Sequence, residues 1–259
     1  EHELLAPLYD QNLSCYYSVT CTDVHGNESD PVETILAEGR AKASAVINYR
    51  PGFDFQADGD LSEWSGLMPF RMYPSDGTGT VVEGTQIDGD ADLSVLSWMA
   101  CDRDYLYISF EISDDSIRFR EGPDDWWKYD SPELFIGLYE ACGFPHRDLQ
   151  TGDEPDYHFN FSPDGALLVS RDSLILASDS EHYCFEQSGM NTYRIECRLS
   201  FDGIAEARGD SLFVPCHDLF IPLDFSINDN DGGTERQGLL TYSRYNTDLS
   251  WRDVSLWSH

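Results

Sequence analysis

At 259 residues the chain has room for one large domain or two modest ones, with ample core. Aromatic residues make up 13% and charged residues 25%, which marks a globular chain and excludes a disordered one. With 48 Asp and Glu against 16 Lys and Arg, the net charge of −32 repels nucleic acid and anionic membranes. Neutral ligands and cations such as calcium remain as partners.

Residues 1–38 read as strands joined by turns. Ser14–Thr22 is rich in β-branched and aromatic residues, Asp23–Ser29 carries turn chemistry, and Pro31–Leu36 is a short strand. The run Tyr16–Ser29 resembles the final hairpin of a fibronectin type III domain, whose earlier strands are missing here. Tyr16, Val19, Ile35 and Leu36 then need a partner surface. Upstream chain supplies it, or a neighbouring subunit adds a strand, or the segment folds back on the second domain. The chain starts at Glu1 with neither Met nor signal peptide, and is read as a piece of something longer. Residues 39–45 are small and polar, a linker.

The second domain spans 46–259. Asp58-Gly-Asp-Leu-Ser-Glu-Trp64 packs three acids around a glycine, either a calcium-wrapping turn or an ordinary Asp-Gly turn. Asp88–Asp92 is a second such cluster. Asp92–Asp115 alternates as a hairpin about a Cys101–Asp104 turn. From Glu133 on, Leu134, Ile136 and Leu138 face one way and Glu133 and Phe135 the other, the period of a strand with one buried face. Further strands are expected over 156–162, 166–170, 193–201 and 219–228. In the last, Asp224, Ser226 and Asn228 share the non-core face. No long helical periodicity and no membrane-length apolar run is present. Seven cysteines form no Cys-x-x-Cys or zinc spacing, and no hydrolase, metalloprotease or phosphate-loop motif occurs, which argues against an enzyme. The pattern is all-β: a β-sandwich of antiparallel sheets.

Four segments resemble carbohydrate-binding module family 9 and its DOMON-like β-sandwich relatives over about residues 46–259. They are Asp58–Trp64, Trp98–Ile108 with Asp114, Trp127-Lys-Tyr-Asp-Ser-Pro-Glu133-Leu-Phe-Ile136, and Asn228-Asp229 followed by Ser250-Trp251-Arg-Asp253. The resemblance implies that Trp127 and Trp251 stack on a terminal sugar while Glu133 accepts from its hydroxyls. Three polar positions depart from the family pattern: Asn160 stands where an Arg is usual, Ser226 for a Gln and Asp248 for an Asn. The family also implies structural calcium, with Asp58, Asp60 and Asp229 as ligand candidates. The expected function is non-catalytic binding of a glycan or oligosaccharide by an accessory domain of a secreted, extracellular or cell-surface protein. The alternative is a structural or adhesive subunit that uses the sandwich as a building block.

Overall fold

The computed structural model describes strands 16–19 and 32–35 and residues 46–120, 125–140, 151–152, 154–216 and 219–258. The chain divides into two units, 1–45 and 46–259. In the first, β1 (Tyr16–Val19) and β2 (Val32–Ile35) pair antiparallel, Tyr16 opposite Ile35. The expected Asp23–Ser29 turn, Cys15, Cys21 and the 39–45 linker lie outside the described residues.

The second unit is a two-sheet sandwich. One sheet runs β11-β10-β9-β8-β14-β15-β5, formed by β5 (Thr80–Val81), β8 (Ser131–Gly137), β9 (Asp156–Ser162), β10 (Gly165–Leu168), β11 (Leu174–Ala177), β14 (Leu223–Asp229) and β15 (Gly238–Thr241). The other runs β12-β13-β7-β6-β3, formed by β3 (Asn48–Tyr49), β6 (Leu93–Cys101), β7 (Tyr105–Asp114), β12 (Tyr183–Gln187) and β13 (Thr192–Ser200), with β4 (Phe70–Met72) also on β6. Among the described pairs only β3–β6 is parallel. Alternation sends Leu134, Ile136, Phe159, Phe161, Phe225 and Ile227 inward from the first sheet to meet Ile108, Phe110, Ile112, Ile195 and Leu199 of the second. Phe110 lies 5.3 Å from Phe161 and 5.7 Å from Phe225, centroid to centroid. Each such side chain contributes roughly 1.5–3 kcal/mol by leaving water.

Several element ends differ from the sequence expectation. The strand expected from Leu219 begins at Leu223, directly after Pro222, which has no N–H to give to a ladder. Phe201, expected to close β13, instead opens the helix α1 (Phe201–Arg208), because Ser200 Oγ accepts from the Gly203 N–H and caps it. The strand expected over 166–170 runs from Gly165 to Leu168.

The Asp58–Trp64 turn lies over the outer face of the second sheet. Trp64 and Leu67 pack there on Ala100 and Tyr107, with Phe53, Phe55, Leu61, Trp98 and Tyr105 around them. The turn is anchored to the fully buried Glu196 of β13, whose carboxylate accepts from Trp64 Nε1 (2.9 Å), Gly59 N–H (2.7 Å) and Asp58 N–H (3.1 Å). Gly59 has φ +82°, a left-handed conformation that side chains disfavour, so glycine suits this turn.

Candidate functional site

On the first sheet the face away from the core is polar. Asn160 of β9, Glu133 of β8 and Ser226 of β14 are direct cross-strand neighbours in one row. Adjacent rows place His158 beside Phe135 and Asp224, and Asn228 beside Ser131. Glu133 and two of the polar positions that depart from the family pattern, Asn160 and Ser226, therefore sit side by side, about 4.8 Å apart from strand to strand.

Glu133 is not the open acceptor that the sequence implies. It is 6% exposed. Its Oε1 accepts from Trp126 Nε1 at 3.0 Å and lies 2.8 Å from His158 Nε2, while Oε2 accepts from Asn228 Nδ2 at 3.1 Å. Burial works to raise its pKa, but the His158 imidazole and these donors outweigh it and hold the carboxyl below its ordinary value. Glu133 thus organises the floor of the site. Beside it, Asn160 is fully buried, and among the described residues neither its amide nitrogen nor its carbonyl oxygen has a hydrogen-bond partner. Unsatisfied buried amide groups are costly, so an amide left free in this row suits a polar ligand group.

The two tryptophans of the resemblance are both exposed, Trp127 at 42% and Trp251 at 54%. Trp127 rides on a single 3-10 turn, Trp126–Lys128, with Trp126 edge-on to it at 5.1 Å. Asn230 Nδ2 donates to Lys128 O and Lys128 Nζ reaches Glu235 Oε1 at 2.9 Å, tying this turn to the β14–β15 hairpin. Trp251 belongs to the segment after β15. Asp224, fully buried, anchors it by accepting from Ser243 N–H (2.7 Å), Asn246 Nδ2 (3.0 Å) and Ser250 Oγ (3.0 Å). Burial nevertheless pushes the Asp224 carboxyl up to about 7. Farther along, Val254 and Trp257 pack on Phe135 and close the segment onto the sheet. Asp248 is exposed, has φ 65°, and pairs with Arg236.

The expected metal ligands are not brought together. Asp58 Oδ1 accepts from the Asp60 N–H and Asp60 Oδ1 from the Ser62 N–H, so one oxygen of each carboxylate braces the turn over Glu196. Asp229 instead joins Asp114 and Asp130 in one group and Asp92 and Asp231 in another, and Asp114, Asp115 and Asp231 form a third. Within each group ligand oxygens lie within 4.8 Å of one another. Strand ends create this cluster: Asp92 precedes β6, Asp114 ends β7, Asp130 precedes β8 and Asp229 ends β14.

Asp229 is 1% exposed, and among the described residues neither of its carboxylate oxygens has a hydrogen-bond partner, nor does Asp114 Oδ2. Burial, reinforced by neighbouring carboxylates, pushes Asp130 and Asp229 up to about 8 and Asp114 to about 6. Several hard oxygens around buried, unpartnered carboxylate atoms fit a calcium-like cation. The sequence reading reached Asp229 and the Asp88–Asp92 run. It missed Asp114, Asp115, Asp130 and Asp231 as ligands, because only the fold gathers them. His158, Trp126, Asn228 and Arg236 were missed likewise, though Asn228 and Asp130 lie inside segments that the resemblance had marked.

A two-sheet sandwich with exposed tryptophans beside a buried polar row is the architecture of a sugar-binding module. The sequence profile described as carbohydrate family 9 binding domain-like matches residues 71–259, and the chain belongs to that family of non-catalytic carbohydrate-binding modules. In fold it is similar to a family 9 carbohydrate-binding module from Caldicellulosiruptor kristjanssonii solved with glucose (TM-score 0.52, 16% identity, 82% of this chain and 91% of that one). A cellotriose complex of a family 9 module from the same organism is similar too (TM-score 0.51, 15% identity, 82% and 89% covered). No curated protein sequence matches the chain.

Proposed function

We propose that the second unit binds the terminal sugar of a glycan between the loops that carry Trp127 and Trp251, with Asn160 reading a hydroxyl and Glu133 holding the floor. The observation that carries this reading is the pair of exposed indoles beside a buried amide with no partner of its own. Indole faces pack against sugar C–H groups, and free amide atoms exchange hydrogen bonds with hydroxyls. The solved structures it resembles hold glucose and cellotriose, so neutral glucose-type sugars are the first probes. The openness of both indoles favours glycan binding over the structural-subunit alternative. Calorimetry with glucose and cellotriose on the wild type, Trp127→Ala and Trp251→Ala is the test. Stacking contributes about 0.5–1.5 kcal/mol per ring, so each change should weaken binding roughly two- to thirteenfold. If both variants bind like the wild type, the sugar sits elsewhere.

The module is further read as calcium-braced, with Asp114, Asp130 and Asp229 holding the ion together with Asp92 and Asp231. The cation would neutralise charge that the buried carboxylates cannot neutralise among themselves. A secreted or cell-surface parent protein agrees with the strongly acidic surface and the sugar ligand. The antiparallel pairing of β1 with β2 agrees with the closing hairpin of a fibronectin type III-like domain.

A further inference from the structure

The two tryptophan-bearing loops come from distant parts of the chain, yet one hairpin, residues 230–237 between β14 and β15, reaches both. Towards the Trp127 turn it offers Asn230, whose amide donates to Lys128 O, and Glu235, which pairs with Lys128 Nζ at 2.9 Å. Towards the Trp251 segment it offers Arg236. Arg236 Nη2 lies 2.5 Å from Asp248 Oδ2, three residues before Trp251, and Arg236 Nη1 donates to Asn228 Oδ1 at 2.7 Å. Asn228 donates in turn to Glu133 Oε2 (3.1 Å), and Glu133 Oε1 accepts from Trp126 (3.0 Å). An unbroken chain of hydrogen bonds, Trp126–Glu133–Asn228–Arg236–Asp248, thus runs beneath the site from one loop to the other.

We propose that Arg236 is a positioning residue that ties the Trp127 and Trp251 loops into one sugar-binding unit. The inference rests on the sugar-binding reading above. A planar guanidinium presents its N–H groups as a rigid fork and can hold two acceptors at a fixed angle, which a flexible ammonium cannot. Here the two acceptors belong to the sheet floor and to the segment that carries Trp251. The Arg236 side chain is only 16% exposed, so its bonds are less screened than those of an ordinary surface pair. Asp248 also needs restraint. At φ 65° it occupies the left-handed region that a side chain disfavours, and its own N–H is held by Asn246 Oδ1 at 2.9 Å. With the fork in place, Trp251 is held in a fixed relation to the floor that carries Asn160.

Arg236→Met and Arg236→Lys test this, read by calorimetry with cellotriose and by the 15N indole N–H resonances of Trp126 and Trp251, assigned with Trp→Phe variants. Among the described residues Arg236 makes no hydrogen bond and no cation–π contact with either indole. Both resonances should nevertheless move in Arg236→Met, and cellotriose affinity should fall at least tenfold. Arg236→Lys should stay within about threefold of the Met variant, since charge without the fork does not restore two bonds. If Arg236→Met does not fold, Asp248→Asn weakens the same link at an exposed position and should move the Trp251 resonance. Resonances that stay in place in the folded variants overturn the proposal, as does unchanged cellotriose affinity where they move. A wild type that binds neither cellotriose nor glucose sinks the sugar reading instead, and the resonances alone then decide whether Arg236 positions the loops.

Discussion

Glu133 and Asn160 face each other across β8 and β9, and they exchange the roles that sequence alone suggests. Alternation places both on the non-core face, but it carries no information about what covers that face. Trp126, His158 and Asn228 converge on Glu133 and use most of its acceptor capacity. Glu133→Gln would turn an amide N–H₂ towards groups that already donate, and should cost about 1–3 kcal/mol by urea unfolding. The pH dependence has a definite sign. A folded pKa below the unfolded one means that this carboxyl contributes stability above its unfolded pKa, about 4.3. That contribution is lost as pH falls through the folded value, so the wild type should lose more stability than Glu133→Gln on acidification from pH 5 to pH 3. Asn160→Ala removes an amide that has no partner among the described residues, so it should leave the melting temperature nearly unchanged while weakening sugar binding. A large drop in melting temperature would show instead that Asn160 is structural.

At the scale of elements, most of the sandwich is legible because a half-buried strand repeats every two residues. β6, β7, β8 and β9 begin and end close to where that repeat does, and Asp224, Ser226 and Asn228 fall on the expected face of β14. What the repeat cannot show is a change of element whose cause is a cap, as at Ser200 before α1, or a partner remote in sequence. The acidic turn at Asp58–Trp64 is the clearest instance. Three acids and a glycine suit a cation and a tight turn equally well, and the deciding partner, Glu196, is more than a hundred residues away. Trp64→Phe keeps the packing ring and removes the N–H bonded to Glu196. It should cost about 1–3 kcal/mol in denaturant unfolding. Because the turn covers the second sheet, whereas the tryptophan loops border the first, cellotriose affinity should not change. Loss of sugar binding in a folded Trp64→Phe protein would contradict the separation of these two faces.

Over the whole molecule, 48 acidic residues against 16 basic ones give a field that works against compaction, and the strand ends concentrate part of it at Asp92, Asp114, Asp115, Asp130, Asp229 and Asp231. Composition made a cation plausible, but its place depends on four strand termini meeting. The proposed site has a pH signature. With no cation bound, Asp130 and Asp229 hold protons up to about pH 8 in the folded chain, whereas unfolded aspartates release them near pH 3.9. Between those limits the folded state binds more protons, so the stability of the chelator-treated protein should fall as pH rises from 6 to 8. Calcium must displace the same protons, so its benefit should run the other way and be greatest at pH 8. At a hundredfold excess over Kd the gain is about 2.7 kcal/mol, or roughly 5–11 °C in melting temperature for a domain of this size. Calorimetric melting at pH 6 and pH 8, in chelator and in millimolar calcium, measures both slopes, with sodium chloride at matched ionic strength separating binding from screening. A calcium shift no larger at pH 8 than at pH 6, or one that sodium chloride reproduces, would remove the cation from this cluster.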